Sequence, residues 1–191
     1  RNCIIESNST NGSVNTSSVV LSTTINSSGN DSISIDNCLF KQSAGPNPGR
    51  YYLAFSSTGT GSGEQTNSDN SITNCNFTGM LANSSVINVS GTGNGDNWIV
   101  SNNKFYNDIN YSASASLIQF QSAGSDNVTI SGNSIGGSAP DRSGTLWGTT
   151  SGFLVGINLF VGTSAASNIQ GNTISNIGTI GGSSTSAITV G

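Results

Sequence analysis

Hydrophobic and polar positions alternate in short runs that recur along the whole chain. In the stretch DNVTISGNSI, Val128 and Ile130 alternate with Thr129 and Ser131, which is the two-residue period of a strand with one buried face. Related runs end at Ile5, Phe40, Phe77, Phe105, Ile135 and Ile174. These ends are 28 to 39 residues apart, and self-similarity at such a period predicts a repeat protein whose length variation lies in loops.

Each copy contains a second short run, rich in β-branched or aromatic residues and bounded by Gly, Ser, Thr and Asn. These second runs contain Leu21, Phe55, Val89, Phe120, Leu159 and Val190. The pattern predicts strand, sharp corner, strand, loop, strand and loop in every copy. No segment shows a sustained apolar period of 3.6 residues, so we predict no substantial helix.

A column of Asn and Gly stands three positions before the hydrophobic end of each copy. Its members are Asn2, Asn37, Asn74, Asn102, Gly132 and Gly171. Asn and Gly adopt the left-handed backbone conformation more readily than other residues. We therefore predict a corner of one left-handed residue that bends the chain between two strands.

The next position forms a second column, which changes once from cysteine to asparagine. Its members are Cys3, Cys38, Cys75, Asn103, Asn133 and Asn172. If each copy is one coil, equivalent residues stack roughly 4.8 Å apart. Stacked amides can then satisfy one another by hydrogen bonds, while stacked cysteines would form a small apolar ladder.

The number of cysteines, three, is odd, which raises the question of a free thiol. Their shared column predicts buried, reduced thiols rather than a metal site, because three ligands along a line do not make a tetrahedron. A bridge between Cys38 and Cys75 in adjacent coils is the alternative, although direct stacking gives imperfect disulfide geometry.

The segments ISGNSI, IQGNTI and VSNNKF resemble the repeat of right-handed parallel β-helices of the pectate-lyase-like superfamily. In that superfamily an asparagine-ladder corner joins two of the three strands in each coil. The resemblance implies an all-β solenoid of about six coils over nearly the whole chain. We expect residues 1–191 to be a single parallel β-helix segment, and a fragment of a longer chain, since no capping element is recognised at either end.

Composition limits the partners that this chain can have. Only 7% of residues are charged, His is absent, and the net charge is −4. Five Lys and Arg residues cannot form a basic surface, so we expect neither nucleic acid nor an anionic membrane as a partner. No stretch is long enough to cross a bilayer. We expect an extracellular location, secreted or at the cell surface.

Candidate catalytic chemistry is sparse in this sequence. A glycoside hydrolase needs two carboxylates across one substrate bond, and only Asp36 falls on a predicted strand or corner. Asp31, Asp96 and Asp126 share one column, with Asp69 one position away. We interpret them as turn residues that bind backbone NH groups, and a Ca²⁺-binding edge is the alternative. No other cofactor is expected.

Loops of solenoids commonly carry function, and here they contain aromatic residues beside polar ones. The candidate ligand-binding residues are Trp147, Arg142, Asp141, Tyr51, Tyr52, Tyr106 and Tyr111. Such aromatics could stack on sugar rings. For Trp147 the alternative is that the indole covers the edge of the core, and Trp98 is predicted to lie in the core.

These patterns predict a non-catalytic structural or adhesive segment of a large extracellular bacterial surface protein, with carbohydrate or another surface ligand bound through loops. β-Helices also serve as lyases, hydrolases, phage spikes and adhesins, so the fold does not decide the function. The alternative is a carbohydrate-active enzyme, either a polysaccharide lyase or a glycoside hydrolase, including the phage tailspike type. An ice- or crystal-binding face ranks last, because the sequence shows no aligned Thr-x-Thr rows.

Overall fold

The computed structural model of the chain describes residues 2–7, 16–22, 29–42, 52–58, 66–79, 85–91, 94–110, 114–181 and 184–191. Within these ranges the chain forms nineteen strands and no helix. In chain order the strands are β1 (Ile4–Ser7), β2 (Thr16–Ser22), β3 (Ser34–Asp36), β4 (Leu39–Gln42), β5 (Tyr52–Thr58), β6 (Ser71–Thr73), β7 (Asn76–Thr78), β8 (Ile87–Ser90), β9 (Ile99–Ser101), β10 (Lys104–Phe105), β11 (Ala115–Ser125), β12 (Thr129–Ser131), β13 (Ser134–Ile135), β14 (Trp147–Thr149), β15 (Phe153–Val161), β16 (Asn168–Gln170), β17 (Thr173–Ile174), β18 (Ile177–Thr179) and β19 (Ser184–Val190).

The strands form three large sheets and one two-stranded sheet. Sheet 1 has the order β1-β4-β7-β10-β13-β17, sheet 2 has β2-β5-β8-β11-β15-β19, and sheet 3 has β3-β6-β9-β12-β16. Strands β14 and β18 form the remaining pair. Parallel neighbours need a long connection between them, and here the other strands and loops of each repeat provide it. The predicted all-β, parallel architecture is confirmed, and it is compatible with a parallel β-solenoid.

In sheet 1 the strands pair in the register of the sequence repeat. Phe40 is the partner of Ile5 and of Phe77, and Phe77 is the partner of Phe105. The rings of Phe40 and Phe77 stack with centroids 4.8 Å apart, and those of Phe77 and Phe105 with centroids 4.7 Å apart. Strand spacing is about 4.8 Å, so equivalent phenyl rings on successive strands meet face to face.

In sheet 2 the register differs from the alignment of the second runs. Phe55 pairs with Val19 and Ile87, whereas Leu21 and Val89 pair with Ser57. A shift of two residues is one full period of a strand, so alternation of hydrophobic and polar residues does not distinguish the two registers. From Val89 onward the expected column through Phe120, Leu159 and Val190 is the observed one.

One hydrophobic cluster joins the inward faces of the three sheets. It includes Phe77 of sheet 1, Phe120 of sheet 2 and Val100 of sheet 3. Trp98 is fully buried, as predicted, and its indole meets the ring of Phe120 edge to face at 5.9 Å. Burying each such side chain contributes about 1.5–3 kcal/mol, and this apolar burial holds the three sheets together. No helix in the described ranges has the length and hydropathy needed to span a membrane.

Candidate functional site

The corner between sheets 3 and 1 consists of left-handed residues. Asn102, for example, lies between β9 and β10 with a φ of 55°. All members of the Asn and Gly column have positive φ: Asn2 (56°), Asn37 (53°), Asn74 (55°), Asn102 (55°), Gly132 (64°) and Gly171 (62°). Such a residue changes the chain direction in one step, which sets the angle between the two sheets and directs the corner amides.

Asparagine side chains just inside this corner form a buried ladder. The Asn133 side-chain amide nitrogen (Nδ2) donates to the amide oxygen (Oδ1) of Asn172 at 2.9 Å and to the Val100 carbonyl at 2.8 Å. Asn103 repeats the pattern, donating to Asn133 Oδ1 at 3.1 Å and to the Ile72 carbonyl at 2.9 Å. Asn103 and Asn133 are 0% and 1% exposed. Their polar atoms are therefore satisfied inside the core, as a buried amide requires.

The cysteines continue this ladder at its other end as free thiols. The Cys75 backbone NH donates to Asn103 Oδ1 at 2.8 Å, and the Cys38 NH donates to the Cys75 sulfur at 3.4 Å. Burial raises the pKa of the Cys75 thiol to about 11, so this thiol stays protonated near neutral pH and is a poor nucleophile.

A second left-handed corner precedes the strands of sheet 3. Its members are Ser32 (φ 59°), Asp69 (56°), Asn97 (56°) and Asn127 (54°). Sequence reasoning missed this corner and placed Asp69 just outside the aspartate column. The recurring Asp-Ser, Asp-Asn and Ser-Asp pairs before each strand were the signal, because Asp and Asn also tolerate the left-handed region.

The aspartates that precede this second corner bind backbone NH groups of the adjacent repeat. The Asp31 carboxylate accepts from the Ser68 NH at 2.8 Å, and that of Asp96 accepts from the Asp126 NH at 2.9 Å. Asp126 in turn accepts from the NH groups of Ser164 and Ala165, at 3.0 and 3.1 Å. These contacts are those of turn residues. Within the described ranges no three His, Cys, Asp or Glu side chains cluster as metal ligands.

The structure corrects the assignment of Trp147 as a ligand-binding residue. Trp147 lies in β14, where it pairs with Ile177, and its side chain is 0% exposed within the hydrophobic cluster. A fully buried indole presents no face to a sugar ring. An indole has a large apolar surface, and its burial stabilises the fold more than its exposure to solvent would. Trp147 therefore covers the edge of the core, which was the alternative interpretation of this residue.

Arg142 and Asp141 lie in the loop between β13 and β14. The Arg142 guanidinium donates to the Ser134 hydroxyl at 2.6 Å, and the residue has a φ of 69°. The Asp141 carboxylate accepts from the NH and the hydroxyl of Ser143, at 3.1 and 2.6 Å, and these bonds lower the pKa of its carboxyl group. The Arg142 side chain therefore ties the loop to β13 of sheet 1, and the Asp141 side chain stabilises the loop internally.

Of the four predicted tyrosines, only Tyr106 has a described side chain. Tyr106 follows β10 and is half-buried, and this burial raises the pKa of its hydroxyl. Tyr52 begins β5, of which only the backbone is described. Tyr51 and Tyr111 lie outside the described residues.

A polar groove lies next to the first corner, and the sequence did not reveal it. Its volume is about 280 Å³, and it is lined by Asn37, Asn74, Cys75, Asn76, Asn102 and Lys104. Asn37, Asn74 and Asn102 are the corner residues of three successive repeats, and all three are exposed. Their backbone role as corner residues was visible in the sequence. The sequence does not display that these corner residues and Lys104 line one groove.

One cation and one carboxylate lie at this groove: Lys104 lines it, and the Asp36 carboxylate accepts from the groove-lining amide of Asn74 at 2.7 Å. Lys104 is exposed and lines it, and its partner on the next strand is Ser134. The Ser134 hydroxyl accepts from the guanidinium of Arg142 at 2.6 Å, so a second cation, from the loop between β13 and β14, contacts the strand next to that of Lys104. Amide groups beside cations provide both donors and acceptors for sugar hydroxyls and a counter-charge for a carboxylate or sulfate.

Asp126, Asp141 and Asp36 each accept hydrogen bonds from turns or from the next repeat. The pKa of Asp126 is lowered, chiefly by the Ala165 NH, and that of Asp141 is lowered by Ser143. A glycosidase general acid requires the opposite shift, toward a raised pKa. Asp36 accepts from the Thr73 hydroxyl at 2.8 Å and from the Asn74 amide at 2.7 Å, so its carboxylate too is bound by the next repeat.

The outward face of sheet 3 carries two columns of mostly small polar residues. One column contains Ser34, Ser71, Ile99, Thr129 and Asn168. The other contains Asp36, Thr73, Ser101, Ser131 and Gln170. The residue type changes from strand to strand, so this face lacks the regular threonine rows that crystal binding would need.

Comparison of the chain with models of protein families, with curated proteins and with solved structures gives no match in any of the three.

Proposed function

We propose that this chain is a segment of a right-handed parallel β-helix, of about six coils with three short strands each, built like the pectate-lyase-like superfamily. The recurrence of strands in sheets 1, 2 and 3 supports this proposal. The left-handed corner and the amide ladder through Asn103, Asn133 and Asn172 support it further. The right-handed course follows the general rule for parallel crossover connections.

The function we propose is non-catalytic adhesion, as part of a large extracellular bacterial surface protein that binds carbohydrate. The observation that carries this proposal is the groove, in which three corner amides stand beside Lys104. The exposed corner amides offer donors and acceptors for sugar hydroxyl groups, and Lys104 provides a counter-charge for an acidic sugar. The low charge and the hydroxyl-rich composition suit an exposed surface module.

The test is a binding assay of the full chain against uronate-containing and neutral polysaccharides, with the release of new sugar ends measured in the same samples. We expect binding of the acidic polymers that weakens at high salt, since exposed charges are screened, and no release of ends. Release of ends would overturn the non-catalytic proposal in favour of a lyase or hydrolase. Absence of binding to every polymer would overturn the adhesive one.

Two lysines on sheet 1 provide a matched pair of variants. Lys104→Gln removes the cation of the groove, and we expect a loss in affinity of about tenfold, because a charge-assisted hydrogen bond is lost. Lys41→Gln removes a cation outside the groove that is paired with Glu6 at 3.2 Å, and we expect affinity to be unchanged. Equal effects of the two variants would show that the groove is not the site. Running the assay with and without a chelator tests the Ca²⁺ alternative.

A further inference from the structure

Two of the three cysteines lie in contact across adjacent repeats. The sulfur atoms of Cys3 and Cys38 are 2.6 Å apart. The two residues occupy equivalent positions in the ladder, because the Leu39 NH donates to the Cys3 carbonyl at 2.8 Å and Leu39 pairs with Ile4. Equivalent residues on parallel strands are about 4.8 Å apart, which lies within the range of Cα separations that a disulfide spans.

The third cysteine, Cys75, bonds a backbone carbonyl of its own repeat. The Cys75 thiol donates to the Thr73 carbonyl at 3.1 Å, and its sulfur accepts from the Cys38 NH at 3.4 Å. Cys75 is 1% exposed. Cys3, in contrast, is only half-buried, so a small oxidant reaches Cys3 more readily than Cys75. Cys3 and Cys38 therefore have sulfur atoms in contact, and one of the two residues is accessible. Cys75 is buried, and its thiol is bonded to the Thr73 carbonyl.

We propose that Cys3 and Cys38 form a disulfide that fastens the first repeat to the second, and that Cys75 remains a thiol. The oxidant is a small disulfide such as oxidised glutathione. The Cys3 thiolate attacks one sulfur of the small disulfide and releases one small thiolate. The Cys38 thiolate then attacks the Cys3 sulfur of the mixed disulfide and releases the second small thiolate.

The reaction balances in electrons and protons. The two cysteine thiols are oxidised by two electrons, the small disulfide is reduced to two thiols, and the two cysteine protons end on those thiols. A hydrogen bond with Cys38 raises the pKa of Cys3, so its thiolate is scarce and the first attack is slow. An oxidising compartment outside the cell is where such a bond persists.

Peptide mapping separates the two pairings, because Cys3 and Cys38 fall in one tryptic peptide. Cleavage after Arg1, Lys41, Arg50 and Lys104 places Cys3 and Cys38 in peptide 2–41 and Cys75 in peptide 51–104. The full chain is incubated with oxidised glutathione, alkylated in denaturant and digested. We expect peptide 2–41 to be lighter by two hydrogen atoms and to resist alkylation until it is reduced, while peptide 51–104 carries one alkyl group.

Cysteine variants complete the test. We expect Cys75→Ala to leave the internal bond of peptide 2–41 intact, and Cys3→Ala to abolish it and leave Cys38 open to alkylation. A cross-link between peptides 2–41 and 51–104, or full alkylation of both cysteines in peptide 2–41 after oxidation, would overturn the proposal. The outcome does not depend on carbohydrate binding, so the two proposals can fail separately.

Discussion

The side-chain amide nitrogen of Asn133 donates to the amide oxygen of Asn172 at 2.9 Å, across the pair of strands β13 and β17. The same nitrogen also donates to the Val100 carbonyl at 2.8 Å, and the Asn133 oxygen accepts from the Asn103 NH at 3.0 Å. One buried amide thus joins three successive repeats. The ladder supplements the backbone hydrogen bonds of the sheets at the place where the chain turns a corner.

Replacing the ladder amide should destabilise the fold markedly. Asn133→Ala removes the acceptor of the buried Asn103 NH and the side-chain donor to the Val100 carbonyl. Each buried group left unsatisfied costs about 1–3 kcal/mol. We expect the free energy of unfolding, measured by urea denaturation, to fall by about 2–4 kcal/mol. The exposed Asn168 of β16 is the control, since Asn168→Ala should change stability by less than about 0.5 kcal/mol. Equal losses in the two variants would contradict a structural role for the ladder.

The left-handed corner should distinguish alanine from glycine. At Asn102, where φ is 55°, alanine pays the cost of a Cβ in the left-handed region, roughly 1–2 kcal/mol. We expect Asn102→Ala to lower the unfolding free energy by about that amount, and Asn102→Gly to be close to neutral because glycine adopts positive φ freely. Two variants of equal stability would show that backbone strain at the corner is unimportant.

The phenylalanine stack should be sensitive to loss of its middle ring. Phe77 contacts Phe40 on one side and Phe105 on the other, and truncation to alanine leaves a cavity that rigid neighbouring strands cannot fill. We expect Phe77→Ala to cost about 3–5 kcal/mol in urea denaturation. The control is Phe153→Ala, which removes a ring that is 48% exposed and should cost far less. A loss of unfolding free energy at Phe77 as small as that at Phe153 would show that neighbouring side chains fill the cavity.

Asp126 should make stability depend on pH in the acid range. The NH groups of Ala165 and Ser164 lower the pKa of its carboxyl group below the ordinary value of 3.8, so the unfolded chain binds a proton more readily than the folded one. The stabilisation is therefore complete above that ordinary value and is lost as pH falls through the folded pKa. We expect Asp126→Asn to be less stable than the parent near neutral pH and the difference to close in acid. Parallel stability curves for the two proteins would exclude this coupling.

Much of the architecture was determined by the sequence itself. The column that includes Asn102 and Gly132 contains only the two residue types that tolerate positive φ, and the column of Phe40, Phe77 and Phe105 sets the register of sheet 1. Both patterns are local consequences of backbone sterics and of the two-residue period of a strand. Such patterns can be recognised without knowledge of distant contacts.

Other features were decided only by the tertiary structure. The register of Phe55 differs from its alignment by a whole strand period, Trp147 is buried rather than available to a ligand, and the corner amides line a groove with Lys104. Each depends on which surfaces meet when repeats of unequal length stack. The sequence pattern alone shows the two-residue period of a strand and the residue types that can adopt positive φ at a corner. How deeply a side chain is buried, and which residues of the next repeat it contacts, follow from packing between residues far apart in the chain.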